Sequence, residues 1–248
     1  MDSQLLYESI HGAFLMNKDV ALNYIKRKKR KKRAAIISLV SSLILTMFII
    51  IAFCIIHVDR FTITISDNAS LFLTIDETRE VVTTKLEAPP LLKATDMQYS
   101  DLPSNVDEGL GSKNTDTYFS YSFYLGSNDS TNYSLTMTMQ QSSNELEEAI
   151  RIMIIRNGVR TIYAKSKEDG SAKEIFNGSD RSQPDEILGY TIPFKDNKHI
   201  ILEPYSIVSG EYDKYTVVMW IDGWESVNSM KGGNVQTDLK FSTLSTNI

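Results

Sequence analysis

The sequence predicts a mainly β protein, with a single N-terminal transmembrane helix followed by an antiparallel β-sandwich ectodomain. Three observations carry this prediction. Eight consecutive basic residues precede 25 residues without a charge, 34–58. From Phe61 onward, run after run alternates apolar and polar side chains. The one cysteine, Cys54, lies inside the apolar run, so the domain beyond it must stand on its core without disulfides. The expected division is 1–33 as a cytoplasmic amphipathic and basic tail, 34–58 as the span, and 59–248 as the extracellular domain.

In the tail, Leu5, Leu6, Ile10, Ala13 and Phe14, then Val20, Ala21, Tyr24 and Ile25, recur at helical spacing. Asp19 is a candidate cap for a helix entering the basic run. An amphipathic segment that lies on the inner leaflet or docks a cytosolic partner fits this pattern. A weakly helical tail without a partner fits it as well.

The basic cluster is Lys26, Arg27, Lys28, Lys29, Arg30, Lys31, Lys32 and Arg33. Such flanks stay on the cytoplasmic side, which places the N-terminus inside and the C-terminal domain outside a single-pass cell membrane protein. At about 1.5 Å per residue, an uncharged helix of this length crosses the roughly 30 Å hydrocarbon core. A cleavable signal would have a shorter apolar region and a small-residue cleavage site. Here the run ends in Ile55-Ile56-His57-Val58, so a retained anchor is expected. Ile51-Ala52-Phe53-Cys54 departs from a lipobox at the large Phe53, leaving Cys54 as apolar filler and His57 as an interfacial residue. Ser38, Ser41, Ser42 and Thr46 either assist helix pairing or bond back to their own helix.

Charge divides the chain. Residues 59–248 hold 17 Lys/Arg against 28 Asp/Glu, a net of −11. An acidic ectodomain excludes nucleic acid as its partner, because a phosphate backbone calls for a basic face. The basic run instead sits where anionic headgroups attract it.

The strands follow in order. Phe61–Ile65 and Leu71–Ile75 alternate cleanly, as do Tyr118–Leu125 and Tyr133–Met139, so each reads as a half-buried strand with one polar face. Ile150–Arg156 and Val159–Tyr163 flank Asn157-Gly158, a strong signal for a two-residue hairpin. Tyr190–Phe194, Tyr215–Ile221 and Val235–Phe241 complete the set. Asn144–Ala149 reads as one helical turn, while Pro89-Pro90 and 101–117 read as surface connections. A sandwich of jelly-roll type is the natural packing for so many short strands.

Several stretches also resemble a family of uncharacterised single-pass membrane proteins of Gram-positive (Firmicute) bacteria. They are Thr117–Leu125, Leu146–Ile154, Arg156-Asn157-Gly158, Tyr163-Ala164-Lys165 and Asp213–Gly223. The layout is distantly similar to the jelly-roll surface proteins of the TasA and camelysin group, which are released from their leader and polymerise. The long uncleaved anchor departs from that group. The resemblance implies fold and location, with no catalytic residues.

A catalytic set is hard to assemble. Beyond the span the chain has one histidine, His199, in the polar turn Lys195–His199, and it has no cysteine and no G-x-S-x-G. Adjacent carboxylates such as Asp76-Glu77, Asp107-Glu108 and Asp185-Glu186 read as solvated surface. No cofactor is expected. Calcium through loop oxygens at Asp222-Gly223 or Glu168-Asp169-Gly170 is a minor alternative, since neither matches the twelve-residue helix-loop-helix pattern. Trp220 is expected in the core and Trp224 is the candidate contact residue.

The expectation is therefore a non-enzymatic, membrane-anchored surface protein whose sandwich mediates protein contact or self-assembly, through exposed strand edges among other routes. The alternative is a sensor or regulatory subunit that couples the ectodomain to a cytosolic partner through the tail.

Overall fold

The computed structural model describes residues 22–23, 26–49, 61–66, 70–91, 93–178 and 186–244. The chain falls into two compact units, Met1–Val58 and Asp59–Ile248. In the first, Lys26–Ile49 forms a helix, α1, long and apolar enough to cross a membrane. The basic cluster makes up its opening turns, and every described side chain of the helix is exposed. Thr46 Oγ1 donates to the Ser42 carbonyl at 2.9 Å, which is the self-bonding arrangement. The tail helix expected over Leu5–Ile25 lies outside the described residues apart from helical Leu22-Asn23. So do residues 50–58, with Cys54 and His57.

The alternating runs of the second unit build two facing sheets. Sheet A has the order β12 (His199–Ile207), β6 (Thr131–Ser142), β14 (Val235–Thr243), β1 (Phe61–Ile65), β3 (Lys85–Ala88). Sheet B runs β11 (Ile192–Pro193), β8 (Val159–Ala164), β7 (Ile150–Arg156), β13 (Tyr212–Ile221), β5 (Tyr118–Ser127), β2 (Leu71–Thr74). A short β4 (Gly111–Ser112) also pairs with β5. A separate ribbon joins β9 (Glu174–Asn177) to β10 (Glu186–Tyr190).

Most pairings are antiparallel, but β1 pairs with β14 and β11 with β8 in parallel. The chain's first and last described strands thus lie side by side, and the intervening sheets supply the long crossover that parallel pairing demands.

Alternation dictates what fills the interior. Ile63, Leu135, Met137, Leu239 and Phe241 of sheet A meet Leu73, Phe123, Leu125, Ile152, Tyr215 and Val217 of sheet B, all fully buried. Phe123 stacks on Tyr215 at 5.7 Å, and Phe241 meets Tyr215 edge-on at 5.2 Å. Each such side chain contributes roughly 1.5–3 kcal/mol by leaving water. Asn157 and Gly158 both take positive φ, 50° and 83°, the turn that closes the β7–β8 hairpin as the dipeptide predicts.

Three expectations change. Strand β5, expected over Tyr118–Leu125 with one polar face, is buried on both, and Ser120 and Ser122 are fully enclosed. The stretch 101–117, read as a surface connection, is part of the reason: Leu102 and Val106, with Met97 and Tyr99 just before it, pack on Met153, Ile155, Val218 and Trp220 as a second core on the outer side of sheet B. The Ser120 hydroxyl donates to the Val106 carbonyl at 3.3 Å. The strand expected over Tyr190–Phe194 is broken at Thr191, whose N–H donates to the Lys173 carbonyl at 2.9 Å. The expected turn near Asn144–Ala149 is a 3-10 turn, Leu146–Glu148.

Candidate binding cleft

At one end of the sandwich, the start of β1, the start of β5, the end of β13 and the start of β14 stop short of closing. An open cleft of about 960 Å3 enters between the sheets there, lined by Phe61, Phe119, Met219–Ile221 and Val235–Thr237. Its volume lies at the upper end of the range for small-molecule sites.

Two irregular segments form the lips. The first follows β3, where Pro89-Pro90 ends strand pairing, and it carries Leu91, Lys93 and Asp96. It is pinned to the strand end by Met97 N–H to the Ile221 carbonyl (3.0 Å) and Gly223 N–H to the Met97 carbonyl (2.9 Å). The second lip contains Val227, Met230, Lys231 and Asn234. Asn144 Nδ2 donates to the Lys231 carbonyl (3.0 Å), and Asn234 N–H donates to Ser143 Oγ (2.9 Å). Gly233 is required at this turn, because a Cβ there would stand 2.9 Å from the carbonyl oxygens of both Met230 and Ser143.

Charged side chains are few in the cleft. Lys93, Asp96 and Lys231 line it, and Asp96 Oδ2 accepts from the Ser226 hydroxyl at 2.6 Å. Both lysines are exposed, and among the described residues neither is ion-paired to a carboxylate. The described lining therefore carries one net positive charge, on a domain of net −11.

The opposite end of the sandwich is closed by polar groups. Tyr133 donates to Asp213 Oδ2 (2.7 Å) and lies 2.6 Å from the Tyr215 hydroxyl. Asp213 also accepts from Arg156 Nη2 (2.8 Å) and Asn157 Nδ2 (2.6 Å). Tyr163 and Tyr205 both donate to Glu203, and the Arg156 guanidinium lies 4.5 Å over the Tyr205 ring. Tyr133, Glu203 and Tyr205 come from sheet A, the remainder from sheet B or its β7–β8 turn, so the network bolts the sheets together. Burial pushes the phenols of Tyr133, Tyr163, Tyr205 and Tyr215 well above their ordinary value. They are proton donors fixed in a cross-sheet network, in which Arg156 Nε is buried without a hydrogen-bond partner among the described residues, and the arrangement suits cohesion more than nucleophilic chemistry.

The sequence-predicted residues fall elsewhere. Trp220 is buried and touches the cleft from sheet B. Trp224 is half-buried, with its ring 5.0 Å from Phe176. Both indole N–H groups are buried without a hydrogen-bond partner, beside a void of about 10 Å3, room for one water. Below them Arg151 is paired with Asp222 at 2.6 Å, and both side chains are almost fully enclosed. Burial pushes the Asp222 carboxyl up against the pull of Arg151.

His199 Nδ1 lies 2.8 Å from Asp196 Oδ2 on a polar turn. At the loops considered for calcium, Asp169 Oδ1 accepts from the N–H and hydroxyl of Ser171. Among the described residues no group of three His, Cys, Asp or Glu side chains is placed to hold a metal. The basic cluster lies on α1, within the other unit. Lys93 and Lys231, which the fold brings to one cleft, are 138 positions apart in sequence. Pro89-Pro90 and Lys231-Gly232-Gly233 signal turns, and that was their only legible trace.

No family model, curated protein or solved structure matches this chain.

Proposed function

We propose that this chain is a non-enzymatic binding module, held by a retained anchor with its N-terminus inside and its sandwich outside a Gram-positive cell membrane. It makes contact through the cleft. The observation that carries this reading is an open 960 Å3 cleft on a domain whose edge strands β12, β3, β2, β11 and β10 are blunted.

The edges decide between two modes of contact. β12 carries Pro204 and a register shift near its start, and Arg156 Nη2 reaches its Ser206 carbonyl at 3.4 Å. β3 and β2 are four residues long, and Thr83 covers Leu73 of β2. β11 has two residues and ends in Pro193. β10 exposes Ile187 and Leu188, but its register shifts between Ile187 and Gly189. Such devices prevent strand addition. Contact along an edge, the route first suggested by the strand pattern, is therefore disfavoured relative to the cleft.

A photo-reactive residue tests this in intact cells. Val227→p-benzoylphenylalanine, on the cleft lip, is expected to crosslink a partner, read by mass spectrometry. Leu202→p-benzoylphenylalanine, on edge strand β12, is expected to stay silent. Crosslinks from position 202 alone would reverse the assignment. Orientation is tested separately: an impermeant maleimide should label Val208→Cys in a Cys54→Ala background, and replacing Lys26–Arg33 by glutamates should abolish that labelling.

A further inference from the structure

The chemistry of the cleft narrows its occupant. Its floor is apolar, with Phe61, Phe119, Met219 and Val235. Its lips carry two unpaired ammonium groups, Lys93 and Lys231, against the single carboxylate of Asp96, which is already engaged by Ser226. Four other described lysines of the domain are tied to carboxylates: Lys85 to Glu87, Lys165 to Glu147 and Glu148, Lys167 to Glu174, and Lys173 to Glu148 and Glu225. Two cations at the rim of an apolar slot, on an acidic domain, complement a ligand with an anionic head and an apolar body. The same chain carries a helix able to cross a membrane, and membranes are made of such molecules.

Resting on the cleft reading above, we infer that the occupant is a membrane-derived anionic amphiphile with one acyl chain. Its tail lies along Phe61, Phe119 and Met219, the residue before Trp220, and its head lies between Lys93 and Lys231. A segment of protein in the cleft is the competing outcome. It would bring backbone polar groups into a slot whose described floor offers few partners for them.

The two tryptophans of the chain are Trp220 and Trp224, and neither is in α1, so quenching reports on the domain alone. The full chain is placed in zwitterionic phosphatidylcholine nanodiscs and titrated with 11-bromoundecanoate, whose terminal bromine quenches a nearby indole. The uncharged 11-bromoundecanol is the comparator, with both concentrations corrected for partition into the disc. Saturable quenching by the acid is expected, at an affinity at least tenfold above the alcohol. The K93Q/K231Q double variant and 0.5 M salt should each remove about that advantage. K240Q, an exposed lysine outside the cleft, should leave it intact. Equal quenching by acid and alcohol, an unchanged double variant, or no saturable quenching would each overturn the inference. If amphiphiles fail while Val227→p-benzoylphenylalanine crosslinks a protein, the cleft reading stands and the amphiphile falls.

Discussion

The two ends of the sandwich are built from the same strands by different means. At the Tyr133 end, β6, β13 and β7 converge on Asp213, which takes hydrogen bonds from Tyr133, Arg156 and Asn157. At the Val235 end the same β13 runs out into a cleft edged by irregular lips. Cross-sheet cohesion is concentrated at one end, which leaves the other free to admit a ligand without loosening the whole fold. Buried polar networks suit this division, because they are costly to break and fix one alignment of the sheets.

Substitutions should separate the ends. Asp213→Ala leaves Tyr133, Arg156 and Asn157 without their shared acceptor, so a loss of about 3–5 kcal/mol is expected in denaturant titrations of the full chain. A loss below 1 kcal/mol would mean that the bolt does not hold the sheets. Gly233→Ala drives a Cβ against two carbonyl oxygens and should cost about 1–3 kcal/mol, while altering the lip and any crosslinking at Val227. Tyr133→Phe removes one hydroxyl but leaves Asp213 its two other donors, so about 1 kcal/mol is expected.

K93Q/K231Q should leave the thermal midpoint nearly unchanged, because both side chains are exposed and unpaired. A large drop would place them in the structure and not in recognition.

The smallest effect concerns acid. The Asp196 carboxyl is held down to about 2, chiefly by the His199 N–H, then by the His199 ring and the Lys198 N–H. Its folded value lies below the ordinary carboxylate range. Its contribution to stability is therefore present above about pH 4 and lost as pH falls toward 2. Asp196→Asn should flatten that part of the profile between pH 2 and 4, measured by thermal unfolding. An unchanged profile would show that the turn does not hold the carboxylate.

The sequence revealed the strands more readily than the site. Phe61–Ile65 and Tyr133–Met139 alternate because one face is wet, and the fold keeps that pattern. The same signal misled at Tyr118–Leu125, whose polar face is buried, with the Ser120 hydroxyl on the Val106 carbonyl and the Ser122 hydroxyl against Thr216. Strand β12 was hidden by Pro204, which an edge position tolerates and a central one would not. Segment Met97–Val106 has no period to betray that it caps a second core. Asp213 and Tyr133, 80 positions apart, meet only once the sheets face each other. Lys93 and Lys231 likewise lie in turns that carry no periodic signal of their own.

Native-state hydrogen exchange on the full chain in nanodiscs tests the contrast between the ends most directly. Amides of Tyr133, Leu135, Tyr215 and Val217 should exchange only with global unfolding, whereas those of Met97, Gly223 and Gly233 at the lips should exchange through openings of lower free energy. Equal protection at both ends, tracking the global free energy throughout, would contradict the division between a bolted end and a receptive one.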